Sequence, residues 1–146
     1  LAHPDGSLVY KGKNYHELYY ESQVGGVNTP DNGVVIPTSK LRERLLEITH
    51  SLGLVQHEQI EFLEYWMPKL KKLNSPYIVF SLLDPKEKDR VDHVDITPEP
   101  DTRIEFIAYF KPQKSSNIKL KPLPLPASPP QRIGFTAVEW GGTRAQ

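Results

Sequence analysis

The chain has 146 residues, in which 18 Lys and Arg residues balance 18 Asp and Glu residues, and it contains no cysteine. This length predicts one domain, residues 1–146, that buries a core without disulfides or a structural metal. Balanced charge lacks the basic excess that nucleic acids and anionic membrane surfaces attract, so we expect neither partner. The absence of cysteine excludes thiolate nucleophiles and zinc–thiolate sites. No segment reaches the roughly twenty apolar residues of a membrane span, so we expect no membrane insertion.

Pro and Gly divide the N-terminal part of the chain into short elements. Pro4, Asp5 and Gly6 predict a turn. Residues 15–21 follow, rich in aromatic side chains with strand preference. If this segment is a strand, the period of two places four residues on one face: Tyr15, Glu17, Tyr19 and Glu21. Residues 34–36 predict a short buried strand.

The middle of the chain predicts a helical hairpin, because two helical patterns are joined by a very short link. The first helix starts near Thr38 or Ser39, either of which can cap it, and stops at Gly53 in a left-handed conformation. Its apolar stripe is Leu41, Leu45, Ile48 and Leu52. The second helix begins near Gln56, and Pro68 within it predicts a kink or a restart. Its apolar residues are Ile60, Leu63, Met67 and Leu70 on one stripe, with Phe62, Trp66 and Leu73 beside it.

Beyond Pro76 the apolar period changes to two, which indicates strands. Residues 77–83 are apolar on both faces and predict a central strand. Residues 84–89 predict a charged turn, and residues 91–96 predict an edge strand that is protected by charge. Residues 103–110 predict a further strand. Its inward residues are Ile104, Phe106, Ala108 and Phe110.

The C-terminal residues 132–142 predict a strand with apolar side chains on both faces, carried by a Pro-rich spacer at residues 121–131. Phe135 and Trp140 would seal opposite faces of a sheet. We expect this strand to dock into the sheet of its own chain, although docking into a neighbouring copy is the alternative. The order of elements predicts an α+β fold, in which an antiparallel sheet packs against the helical hairpin. Trp66 and Phe106 are expected to be structural, like Phe135 and Trp140.

Two groups of residues have side chains that can ligate a metal. His57 and Glu61 lie one helical turn apart, with Glu58 between them, but a third ligand is missing. Asp92, His93 and Asp95 would project from both faces of a strand. A solvated helix start and a charged edge strand explain the two groups more simply. We therefore predict no metal site and no cofactor.

No catalytic signature is present, because the serines lie outside a nucleophile-elbow context and the carboxylates have no defined separation. We therefore assign no catalytic residue. A hydrolase that acts on cell-wall or polysaccharide substrates remains the alternative hypothesis. It would use Glu17, Glu21 or Glu139 together with His57 or His93.

Aromatic residues give the best functional prediction, because exposed rings stack on sugars and peptides. Most aromatic side chains can also be explained as core residues. The face formed by Tyr15, Glu17, Tyr19 and Glu21 is the better candidate for an exposed ligand-binding surface. We expect a glycan or protein ligand there, or self-association through the C-terminal strand.

Several segments resemble an uncharacterised domain of predicted exported bacterial proteins. They include Pro-Asp-Gly at residues 4–6, Tyr-Trp-Met-Pro at residues 65–68 and Gly-Phe-Thr-Ala-Val-Glu-Trp-Gly-Gly at residues 134–142. The resemblance covers nearly the whole chain and carries no assigned activity. It implies that this chain is the C-terminal portion of a longer exported protein. We therefore expect a non-catalytic binding or structural module of the cell envelope or the extracellular space.

Overall fold

The fold is α+β, as predicted, and the described residues form two sheets and three α-helices. The structure is a computed structural model that describes residues 1–3, 5–21 and 26–145. The strands are β1 (Leu8–Tyr10), β2 (Lys13–Tyr15), β3 (Val34–Pro37), β4 (Tyr77–Leu82), β5 (Thr102–Gln113) and β6 (Thr136–Arg144). The helices are α1 (Leu41–Ser51), α2 (Gln56–Lys71) and α3 (Pro85–Val91).

The main sheet has the strand order β3-β4-β5-β6. β4 lies inside the sheet, as its two apolar faces predicted, and pairs antiparallel with β3 and β5. β6 docks in its own chain but runs parallel to β5, from Thr102 opposite Thr136 to Phe110 opposite Arg144. The expectation of a purely antiparallel sheet is therefore wrong at this pair. Two parallel neighbours require a long crossover, and residues 114–135 provide it.

One face of the main sheet packs on the helical hairpin and forms the core. Phe62 of α2 is completely buried at its centre, with ring centroids 6.0 Å from Phe106 and 5.2 Å from Trp140. Trp66 is also buried there, 4.7 Å from Phe110. Each large apolar side chain buried in this way contributes about 1.5–3 kcal/mol relative to exposure.

The Pro-rich crossover is fastened to the rest of the molecule at three places. The backbone N–H of Lys121 donates to Asp31 at 2.9 Å beside β3, and Leu123 packs on the core. Arg132 donates through Nη1 to Glu58 at 2.9 Å and through Nη2 to the carbonyl of Gly53 at 2.8 Å. The spacer therefore crosses the helical side of the molecule before β6 begins.

The opposite face of the sheet is covered by α3, whose Lys88 is buried against it. The Lys88 ammonium lies 3.1 Å from Glu105 and 3.5 Å from Glu139. Burial alone would lower the pKa of Lys88, but the hydrogen bond and charge of Glu105, with Glu139, outweigh it, so the pKa is raised. The second face thus holds a buried cation with two carboxylate partners.

Two predicted elements after β4 are wrong. Residues 84–89 form most of α3 rather than a turn, because Asp84 accepts a hydrogen bond from the backbone N–H of Glu87 at 3.0 Å and Pro85 occupies the first helical position. The predicted edge strand at residues 91–96 is not formed: Val91 is the last residue of α3, and residues 92–96 contain no strand.

The N-terminal prediction is also corrected. The turn at Asp5 and Gly6 is present, with the Gly6 N–H donating to His3 at 3.0 Å, while Pro4 lies outside the described residues. The aromatic segment is a strand only up to Tyr15, where β2 ends after pairing with β1. Residues 16–21 have no strand partner, so the single strand face proposed for residues 15–21 does not exist.

The ends and interior of the helical hairpin differ from the prediction in three details. Thr38 begins a short 3-10 turn and donates through its hydroxyl to Ser75 at 2.5 Å instead of capping α1. α2 continues through Pro68 to Lys71 without a restart. Ile60 is 39% exposed, although it was assigned to the buried stripe. Gly53 has the predicted left-handed conformation, with φ of +103°.

The prediction that Phe135 seals a face of the sheet is wrong, because this residue precedes β6 and is 38% exposed. Its backbone N–H donates to the Asp101 carboxylate at 2.8 Å, which fixes the chain just before β6. Trp140 packs on the hairpin side of the sheet, so only one of the two aromatic residues seals a face.

Candidate functional site

Residues 16–21 lie along the outer side of α2, and a cleft opens at one end of this contact. Helix residues four positions apart lie on one side of a helix, and in α2 this stripe is His57, Glu61, Tyr65 and Lys69. Residues 16–21 follow β2 in the chain and lie against this stripe. We call this region the α2 groove.

One end of the α2 groove is aromatic. The rings of Tyr19 and Tyr65 lie 6.1 Å apart at a tilt of 54°. Both phenol hydroxyls donate to the Glu21 carboxylate, Tyr65 at 3.4 Å. Hydrogen bonds of the Tyr19 hydroxyl with Glu21 and Tyr65 raise the pKa of Tyr19. The Lys69 ammonium lies 3.7 Å from the centroid of the Tyr65 ring, in a cation–π contact.

The other end is a cleft of about 300 Å³ with acidic and imidazole side chains. It is lined by Asp5, Gly6, Ser7, His16, His57 and Glu61. Burial raises the pKa of Glu61, and the nearby charges of Glu17, Glu58 and Glu64 raise it further, whereas His57 acts in the opposite direction. The neighbouring carboxylates thus add to the effect of burial in disfavouring a negative charge on Glu61.

Tyr20 connects the α2 groove to the other face of the sheet. Its hydroxyl bonds to Glu139 of β6 and, at 2.8 Å, to Asp92 after α3. Burial and these two hydrogen bonds raise the pKa of Tyr20. Its neighbour Tyr19 lies on the α2 side of the sheet, next to Tyr65, which itself packs on Trp140. Two adjacent residues thus reach opposite faces of β6, so the extended segment passes across the outer edge of that strand.

The structure separates the residues of the hydrolase hypothesis. Glu139 bonds to Tyr20 and Lys88 on the α3 face. His93 pairs with Asp95 at 3.1 Å, and both side chains are mostly exposed. His57 and Glu17 each lie close enough to Glu61 to affect its pKa. Among residues 1–3, 5–21 and 26–145, no group of three His, Asp or Glu side chains is arranged to hold a metal ion.

The four residues predicted to bind a ligand are all exposed, although not on one strand face. Glu17, Tyr19 and Glu21 line or approach the α2 groove, while Tyr15 ends β2 and is 37% exposed. No role was predicted for His16 or Lys69, and Tyr65 was predicted only as one of several aromatic residues that could bind a ligand or belong to the core. The four-residue spacing of the α2 stripe is the signal that could have identified the helical side of the groove.

The chain matches no protein-family model, no curated protein and no solved structure. The site is therefore assigned from its own residues. In the described part of the chain, no helix is both long and apolar enough to cross a membrane.

Proposed function

We propose that this protein is a non-catalytic binding module and that the α2 groove is its ligand-binding surface. One observation carries the proposal: large apolar side chains are exposed on the segment that borders the groove. Leu18 is 77% exposed, Tyr19 is 64% exposed and Tyr20 is 51% exposed. Such a concentration on a polar-rimmed surface is typical of an interaction site.

The alternative explanation of these aromatic residues as core does not apply to this segment. Tyr65 and Trp140 pack against each other and against the core, with ring centroids 6.2 Å apart. Leu18 and Tyr19 instead face solvent, although adjacent apolar side chains on a surface cost free energy unless a partner covers them. A ligand that covers them would recover that free energy.

We place this module outside the cytoplasm, in the cell envelope or the extracellular space. The support is the resemblance of the Pro-Asp-Gly, Tyr-Trp-Met-Pro and C-terminal segments to a domain of exported bacterial proteins. Fractionation of the source organism with an antibody against this chain tests the location. Recovery in the cytoplasmic fraction alone would contradict it.

Screening of the purified chain on glycan and peptide arrays tests the function. Every ligand found is then titrated against Leu18→Ser and Tyr19→Ser, which should each weaken binding at least tenfold. Leu125→Ser is the matched control: Leu125 is 36% exposed on the crossover, beyond the part that pairs beside β3. Equal loss in all three variants, or no ligand on either array, would overturn the proposal.

A hydrolase of cell-wall or polysaccharide substrates is the second candidate, because Glu61 has a raised pKa and lies beside His57 and His16 in the same cleft. A carboxyl group with a raised pKa can act as a general acid. Release of reducing ends from cell-wall polysaccharide by the purified chain, abolished in Glu61→Gln, would favour this candidate. Identical product release by both proteins, or none, would reject it.

A further inference from the structure

We propose that the α2 groove binds an extended peptide segment of a partner protein through its Lys or Arg side chains. This inference rests on the proposed binding function and names the chemical class of its ligand. The exposed Tyr19 ring and the carboxylates around it would together receive the cationic group of the ligand.

The groove already binds a cation from its own chain. The Lys69 ammonium lies over the face of Tyr65, 3.7 Å from the ring centroid, whereas the Tyr19 ring beside it is 64% exposed. An aromatic face attracts a cation because its quadrupole is negative, and the attraction increases next to a carboxylate. Glu21 accepts hydrogen bonds from both phenols and so provides that carboxylate. A second ammonium or guanidinium group therefore finds the same surroundings at Tyr19 that Lys69 has at Tyr65.

The charges along the groove also favour a cationic ligand. Burial raises the pKa of Glu61, and the charges of Glu17, Glu58 and Glu64 raise it further, although His57 acts in the opposite direction and Arg132 pairs with Glu58. A ligand cation would relieve this repulsion, whereas a phosphate or carboxylate ligand would increase it. Anionic ligands are thus disfavoured by the same residues that attract a cation.

The length of the groove selects a peptide over a single amine. The stripe from His57 to Lys69 covers twelve residue steps, about 18 Å at the rise of an α-helix. An extended peptide advances about 3.3 Å per residue, so about five residues would span this length over the outer surface of residues 16–21, which already contact the stripe at Tyr65. Basic side chains of such a segment would reach both the Tyr19 ring and the Glu61 cleft.

The test is the binding of a fluorescein-labelled peptide of alternating Arg and Leu, measured by anisotropy at low and high salt. The controls are the same peptide with citrulline for Arg, which keeps the shape and removes the charge, and spermine as a competing free amine. We expect the citrulline peptide to bind at least tenfold more weakly and spermine to compete only poorly. Equal binding of the citrulline peptide, no binding of the Arg peptide, or complete displacement by dilute spermine would overturn the proposal.

Variants of exposed residues locate the site without affecting the core. Glu21→Gln and Tyr19→Leu should each weaken binding of the Arg peptide about three- to tenfold, whereas Glu43→Gln, on α1, should leave it unchanged. Lys69→Ala should strengthen binding about threefold, since it removes a competing cation and frees the Tyr65 ring. Weaker binding in Lys69→Ala would contradict the proposal.

Failure of this inference can be distinguished from failure of the proposed function. A neutral or anionic ligand from the arrays that depends on Leu18 and Tyr19 would leave the binding function intact and reject the cationic peptide. If neither the arrays nor the Arg peptide give binding, both proposals are rejected.

Discussion

Gly141 and Gly142 are neighbours in β6 with very different surroundings. A Cβ atom on Gly142 would lie 2.3 Å from Cζ2 of the Trp66 ring, which is buried in the core. A Cβ atom on Gly141 would lie 3.6 Å from Ile107, an ordinary contact. Only the second glycine of the pair is therefore required by packing.

We predict that Gly142→Ala lowers the free energy of unfolding by about 1–3 kcal/mol, the usual cost of overpacking. Gly141→Ala, the matched control, should change it by less than about 1 kcal/mol in either direction. Urea denaturation followed by tryptophan fluorescence measures both variants. Equal destabilisation would show that glycine is needed here for its backbone and not for the space at Trp66.

Glu87 makes stability depend on pH. Two hydrogen bonds from Arg90, and those from the backbone and side chain of Asn28, lower its pKa to about 2 from an ordinary value of 4.5. A lowered pKa in the folded state contributes stability that is complete above the unfolded pKa and is lost as the pH falls towards the folded one.

We therefore predict that the wild-type chain loses stability between about pH 5 and pH 2 more steeply than Glu87→Gln does. The thermal midpoint measured across this range tests the difference. Glu43→Gln is the control, since Glu43 is exposed and pairs only with Lys40 on the surface. If Glu87→Gln retains the full acid dependence, other carboxylates must account for it.

At the scale of the elements, helix α2 contains a proline that destabilises it. Pro68 lies in the last turns of this helix, on its exposed side. Proline has no N–H for the helical hydrogen bond, and its ring crowds the preceding turn. The packing of Phe62, Trp66 and Leu70 on the sheet maintains the helix through this position.

We predict that Pro68→Ala raises the free energy of unfolding by about 1–3 kcal/mol, since it restores a helical hydrogen bond. Lys71→Ala, also exposed and near the same helix end, should change it by less than about 0.5 kcal/mol. Chemical denaturation monitored by far-UV circular dichroism measures both. A less stable Pro68→Ala variant would mean that the proline ring itself makes a necessary contact.

The elements also indicate how far the sequence predicts the fold. α1, α2 and β5 were predicted because each repeats apolar residues with one period over several turns or pairs. α3 was missed although Asp84 and Pro85 are typical of a helix start, because its seven residues are too few for a visible period. Residues 15–21 and 91–96 alternate like strands, but alternation does not provide a partner strand, and most of these residues have none.

At the scale of the whole molecule, the parallel pairing of β6 with β5 could not be predicted from the sequence. The direction of a docked strand depends on where the crossover ends, and residues 114–135 fix this through scattered contacts of Lys121, Leu123 and Arg132. The α2 groove likewise depends on contacts between residues that are far apart in the sequence. Its helical side could be deduced from spacing, whereas the approach of residues 16–21 could not.

We predict that a chain ending at Gln131 does not fold cooperatively. It lacks β6, the Trp140 ring that packs on Phe62 and the Arg132 side chain that binds Glu58. A chain ending at Arg144 is the control, because it keeps β6 and loses, among the described contacts of the backbone, the hydrogen bond from Ala145 to Phe110. Near-UV circular dichroism and thermal unfolding test both chains. A sharp transition in the shorter chain would show that β6 is dispensable.

The position of Tyr19 and Tyr20 across β6 affects whether separate molecules aggregate through this strand. β6 is nine residues long and ends the main sheet, and a strand in that position is a template on which other chains can add strands and grow fibrils. Residues 16–21 obstruct this growth at the middle of the strand. A ligand that displaced residues 16–21 from the α2 groove would expose the edge of β6 to strand addition. The protein can therefore bind a partner and still resist aggregation only if the ligand leaves Tyr19 and Tyr20 in place.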